Sequence, residues 1–127
     1  MGWIGVDLDG VLAEYHGRTA DGSIGAPVPR MVERVKAWLV EGKDVRIFTA
    51  RVWPLETVWA THDLYREQAL EAQRQFKRIQ RWCQEHIGRA LSVTCVKDYA
   101  MLELWDDRCR QVVPNTGRAI DEATEPE

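Results

Sequence analysis

The chain has 127 residues, a length suited to one domain of about 100–150 residues built on a single sizeable core. A hydrophobic content of 45% and a charged content of 29% are those of a soluble globular protein, and a formal net charge of −3 gives no footprint for non-specific nucleic-acid binding. No secretory leader, myristoylation site or apolar run of bilayer length is read, so a cytoplasmic chain without membrane attachment is expected.

The first element is WIGVDLDG, a short apolar run that ends in acidic residues and Gly10 and reads as a buried strand. Residues 11–27, rich in Gly and small polar residues, read as a loop or β-ribbon. Pro27 and Pro29 then open a helix, in which Val28, Met31, Val32, Val35, Trp38 and Leu39 recur at helical spacing and Gly42 supplies the stop. A second strand runs from about Val45 to Phe48. Beyond it Leu55, Trp59, His62, Tyr65, Ala69, Gln73, Phe76, Ile79, Cys83 and Ile87 are assigned to one helical face, ended by Gly88. Pro54 and the Thr61-His62-Asp63 cluster break this pattern, so the firm helix is placed at about 63–87 and 52–62 is a separate loop or short helix. Its spacing fits a helix packed on a sheet, preferred here, or a coiled-coil partner.

Leu91–Val96 and Leu102–Trp105 are the third and fourth strands, and Gln111–Val113 is a candidate short fifth. One domain over 1–117 is expected, followed by a disordered acidic tail over 118–127. The order β-α-β-α-β-β predicts an α/β fold: a doubly wound, mainly parallel, Rossmann-like sheet flanked by helices. Such sheets bind ligands beyond the carboxyl ends of their strands, near the switch point of the winding.

Polar residues collect at those ends. Asp7 and Asp9 follow the first strand, Thr49 and Arg51 the second and Lys97 the third, while Asp106 and Asp107 close the fourth. Any one of them alone reads as a solvated loop residue, but four strand ends bearing acid, hydroxyl, cation and acid define a site. The cysteines Cys83, Cys95 and Cys109 are odd in number and widely spaced, forming neither a disulfide framework nor a C-x-x-C metal pattern, which suits a reducing compartment.

The constellation resembles the haloacid dehalogenase-like phosphohydrolase superfamily. DLDGV at 7–11 is similar to its first motif, D-x-D-G-[TV]; VRIFTA ending at Thr49 to the second; Lys97 in VTCVKD to the third; LWDD at 104–107 to the acidic fourth. The resemblance runs in order from about residue 3 to residue 107. Bacterial receiver domains combine similar residues, but their acidic pair comes first and their phosphorylated Asp ends a middle strand, opposite to the order here.

The resemblance implies a nucleophilic role for Asp7, with an acyl phosphate splitting one difficult displacement into two. Asp9 would protonate the leaving oxygen and then deprotonate the attacking water. It also implies Mg²⁺, held by Asp7, the backbone carbonyl of Asp9 and, because neighbours at a strand end tend to face opposite ways, one of the pair Asp106 and Asp107, with Asp106 favoured and the other orienting water or Lys97. Thr49 and backbone N–H groups near Gly10 and Ala50 would hold phosphate oxygens, and Lys97 would offset charge on Asp7 and the transferring group. Arg51 either adds a bidentate phosphate contact or pairs with an acid.

Family members differ in cap insertions, and neither slot here has room for one, so the chain reads as capless. An open site of that kind suits a large substrate end or closure by another copy in a homo-oligomer. Residues 52–70 place Trp53, Trp59, His62 and Tyr65 beside the catalytic edge, either packing the helix onto the sheet or forming a substrate lid in which a ring stacks on a base. His16 reads as a solvent-exposed loop residue, with substrate contact the second reading. The function expected is a Mg²⁺-dependent phosphomonoester hydrolase acting on a nucleotide, a polynucleotide end or another small phosphate ester. A non-catalytic phosphate-binding or regulatory module on the same fold, or a phosphotransferase, is the alternative.

Overall fold

The computed structural model describes residues 2–122, in which β1 (Trp3–Val6), α1 (Pro29–Val40), β2 (Asp44–Phe48), α2 (Arg66–His86), β3 (Ser92–Thr94) and β4 (Met101–Trp105) follow one another. The strands form a four-stranded sheet of order β3-β2-β1-β4. Every pairing is parallel, with one bulge in the β1–β4 ladder between Trp3 and Ile4. This is an α/β fold with a Rossmann-like sheet. The central position of β1 explains why all four of its residues are apolar or glycine and all are buried.

Helix α1 begins where its sequence signals place it, with Pro29 in its first turn, and the chain leaves it through Gly42 at φ +79°. Helix α2 packs on the sheet and follows a single 3₁₀ turn at Asp63–Tyr65. Its buried face is Ala69, Ala72, Gln75, Ile79, Trp82 and Cys83. The expected face is thus corrected: Gln73 points to solvent, and Gln75 points inward. Ala69, Ile79, Cys83 and Ile87 of that face are buried and Phe76 packs against the core, so its phase otherwise holds through α2.

Alternation along the strands sorts the side chains onto two faces. Ile4, Val6, Val45, Ile47 and Val93 share one core cluster with Met31, Val32 and Val35 of α1 and Ile79, Trp82 and Cys83 of α2. Both helices therefore cover the same face. The other face carries Trp3, Gly5 and Phe48, and among the described residues no helix packs on it. It is crossed instead by the β3–β4 connection: Trp3 Nε1 donates to Asp98 Oδ1 at 2.8 Å and the Trp3 N–H to the Ala100 carbonyl at 3.0 Å. The Arg46 guanidinium lies 4.7 Å from the Trp3 ring centre, leaving the indole buried. The helices flank one side of the sheet only.

Two expectations near the C-terminus change. Gln111–Val113 does not join the sheet; Val112 forms an isolated antiparallel bridge with Ala119. Residues 118–122 fold back on this segment, the Val113 N–H donating to the Arg118 carbonyl at 2.9 Å and the Ile120 N–H to that of Gln111 at 2.8 Å. Ala119 is buried there, which gives this stretch the apolar anchor not evident from composition. Residues 123–127 of the expected tail lie outside the described residues. Among the described residues no helix is long and apolar enough to cross a membrane.

Candidate active site

After β1 the chain turns sharply, the Leu8 carbonyl accepting from the N–H groups of Val11, Leu12 and Ala13. Residues 11–27, read as a loop or β-ribbon, form a loop without regular strands, a short ribbon at its base being closed by an isolated Ala13–Pro27 bridge and by the Glu14 N–H donating to the Ala26 carbonyl at 2.8 Å. The winding reverses between β1 and β4, so Asp7 and the pair Asp106 and Asp107 stand on the two sides of the switch point.

Carboxylate oxygens of Asp7, Asp106 and Asp107, one from each residue, lie within 4.8 Å of one another. Both members of the Asp106–Asp107 pair join the cluster, where strand alternation would send one away. The reason is local: β4 ends at Trp105, and the next residues turn, with Asp106 Oδ1 accepting from the Arg108 N–H at 2.7 Å. Gly10 is explained by the same crowding. It adopts φ +87°, and a Cβ there would collide with the Asp107 carboxylate.

Asp7 is half-buried, and its Oδ1 accepts from the Leu8 N–H at 2.8 Å. Burial pushes its carboxyl up to about 7, helped by the charges of Asp106, Asp107 and Asp9 and opposed by the Leu8 bond. A carboxylate held at this cost among others is eased by a cation, and hard oxygens so clustered are donors for a divalent ion of the Mg²⁺ type.

Asp9 stands apart from that cluster. Arg51 grips it through both oxygens, Nε to Oδ2 at 2.7 Å and Nη2 to Oδ1 at 2.8 Å. Arg51 also donates from Nη1 to the Gly22 carbonyl at 2.6 Å and to Gln75 Oε1 at 2.9 Å, and from Nη2 to the Ser23 carbonyl at 3.0 Å. A guanidinium has five N–H donors, and all are engaged within the protein. Of the two readings of Arg51, the acid-paired one describes this arrangement, and no donor is left for a phosphate.

Thr49 is buried at the end of β2, its N–H donating to the Thr94 carbonyl at 2.9 Å and its hydroxyl accepting from the Arg51 N–H at 3.1 Å. That bond starts the 3₁₀ turn Ala50–Val52, with Ala50 exposed beside it. Lys97 is exposed beyond β3 and makes no ion pair among the described residues, so the expected neutralisation of Asp7 is not formed here.

The segment after the 3₁₀ turn lies over the carboxyl end of β3, where the Cys95 thiol meets the Leu55 carbonyl at 3.2 Å. Tyr65 gathers its aromatics edge-to-face, with ring centres 5.0 Å from Trp53 and 5.6 Å from Trp59. His62 packs on Trp59 at 5.5 Å, and its Nδ1 accepts from the Leu64 N–H at 3.1 Å, capping the turn before α2. Trp53 and Trp59 remain partly exposed, at 38% and 44%. His16 is exposed, 3.9 Å from Glu14. The residues that sequence reasoning missed are Gln75 and the carbonyls of Gly22 and Ser23. A glutamine at a helix position in phase with Ala72 and Ile79 was the one available signal.

Comparison of the chain with protein-family models, curated proteins and solved structures finds no match.

Proposed function

We propose that the protein is a Mg²⁺-dependent phosphomonoester hydrolase of the haloacid dehalogenase-like type, working through an aspartyl phosphate on Asp7. The observation that carries this reading is the gathering of the Asp7, Asp106 and Asp107 carboxylates at the switch point of a parallel sheet. The order of the four sequence motifs supports it. Asp7, Asp106, Asp107 and the Asp9 carbonyl would hold the ion, which when bound neutralises the acids and draws charge from the phosphate.

In the first step an Asp7 oxygen attacks phosphorus, the bond to the ester oxygen breaks, and that oxygen takes a proton from Asp9. In the second, Asp9 takes a proton from water, the water oxygen attacks phosphorus, and the bond to Asp7 breaks, releasing inorganic phosphate. Thr49 would donate its hydroxyl proton to a phosphate oxygen. Lys97, with no ion pair among the described residues, would swing onto the transferring group. Trp53 and Trp59 offer rings on which a base can stack, which favours a nucleotide or a polynucleotide end as substrate.

The test is a turnover screen with and without Mg²⁺ over an aryl phosphate, nucleotides and phosphorylated oligonucleotides. Metal-dependent release of phosphate, abolished in Asp7→Asn, is expected. No metal-dependent turnover on any of these substrates would remove the hydrolase reading, and activity surviving in Asp7→Asn would remove Asp7 as the nucleophile.

A further inference from the structure

Arg51 and Asp9 lie 42 residues apart in sequence yet form the most shielded ion pair of the molecule among the described residues, with side chains 16% and 21% exposed. The fork-on-fork geometry fixes the plane of the Asp9 carboxylate. The remaining donors reach two structures of different origin. One is the 11–27 loop, through the carbonyls of Gly22 and Ser23; the other is α2, through Gln75 Oε1. Gln75 is buried in the middle of α2, and its Nε2 donates to Glu71 Oε1 at 3.0 Å, which leaves Oε1 turned to Arg51. Gly22, at φ +67°, comes close enough to Gln75 that a Cβ would press on its amide. Neighbouring Arg78 and Trp82 donate to the Asp21 and Gly25 carbonyls, at 2.7 and 3.1 Å, so α2 carries the loop along three of its turns.

We infer that Arg51 is a positioning residue, held by Gln75, that aims the Asp9 carboxylate and clamps residues 14–25 over the site, and that it is not a phosphate ligand. The inference rests on the hydrolase reading for what Asp9 does, and on geometry alone for the clamp. Each Asp9 oxygen accepts one N–H from Arg51 and keeps a further lone pair. Those free lone pairs are the ones that can carry a proton to a leaving oxygen or take one from water, and the guanidinium decides where they point. A lysine, with a single ammonium on a flexible stem, cannot span both oxygens and two carbonyls.

The experiment compares wild type, Arg51→Lys, Arg51→Gln and Gln75→Leu, each checked for cooperative unfolding, on an aryl phosphate with a stable phenolate leaving group and on an alkyl phosphate whose leaving oxygen needs a proton. Arg51→Gln is expected to lower kcat on the alkyl ester by about 10²-fold, the low end of what proton transfer contributes, and on the aryl ester much less, with KM unchanged. Arg51→Lys should fall between, and Gln75→Leu should show the same pattern more weakly. Amide hydrogen exchange read on the same proteins should quicken at Glu14, Gly22 and Ser23 in the Arg51 variants and in Gln75→Leu, while β1 and β2 stay protected.

A raised KM and a weaker inhibition by inorganic phosphate at unchanged kcat would make Arg51 a phosphate ligand and overturn the proposal. Equal losses on both esters would overturn the aiming of Asp9. Should wild type hydrolyse nothing, the hydrolase reading falls on its own, and unchanged exchange at residues 14–25 in Arg51→Gln would overturn the clamp independently.

Discussion

Asp7 sits where its charge is disfavoured, and this has a thermodynamic consequence that does not depend on substrate. Its folded pKa of about 7 lies above its ordinary value of 3.8, so between these limits the folded chain keeps a proton that the unfolded chain has released. The Asp7 contribution to the stability of the metal-free protein should therefore be fully present below about pH 4, be lost as pH rises toward about 7, and level off beyond. In a chelating buffer the thermal midpoint should follow that slope, and Asp7→Asn should flatten it. Above that range, added Mg²⁺ should raise the midpoint of wild type more than that of Asp7→Asn, since a ligand stabilises the state that binds it. An equal slope in the variant would assign the titration to another group. The residues of this cluster were legible in sequence because Asp7, Asp106 and Asp107 end predicted strands, and neighbouring Asp9 and Gly10 because the motif spells them. The Arg51 fork was not. Its five acceptors come from residues 9, 22, 23 and 75, each more than 20 residues from Arg51, and no local pattern encodes such a meeting.

Among the elements, the stretch from Ala50 to Tyr65 is the one most open to a functional reading. It is tied down at both ends, by the Thr49 hydroxyl at 3.1 Å and by the His62 imidazole at 3.1 Å, yet it leaves Trp53, Val58 and Trp59 exposed. Large apolar groups gathered on an exposed surface are unusual without a partner to cover them. If Trp59 stacks on a base, Trp59→Ala should raise KM for nucleotides roughly 5- to 150-fold, the equivalent of about 1–3 kcal/mol, and leave KM for a small aryl phosphate unchanged. Equal changes on both substrates would mean that Trp59 serves only to pack Tyr65 and His62. The helices themselves were largely legible: Pro29 and Gly42 bracket α1, and the apolar period locates α2. The inward turn of Gln75 in place of Gln73 was not, because a buried glutamine has no hydrophobic signature.

Over the whole molecule, the chain winds one way through β1, β2 and β3 and then returns past β1 to β4, which sets the acids of two strand ends on the two sides of the reversal. The four strands and their parallel order could be read from short apolar runs and Gly or Pro stops, whereas the candidate fifth strand at Gln111–Val113 is only an isolated bridge. The one-sided layering could not. Nothing local told that Trp3 would turn away from the helices and meet Asp98 of the β3–β4 connection. The central claim is that Asp7 becomes phosphorylated during turnover. Its most direct measurement is to quench the protein with borohydride while it turns over a phosphomonoester in Mg²⁺, which reduces an acyl phosphate to the alcohol, and to map the product by peptide mass spectrometry. The account expects the reduced side chain at position 7, dependent on both substrate and Mg²⁺. Sustained turnover with an unmodified Asp7, or with the label on another acid, would contradict it.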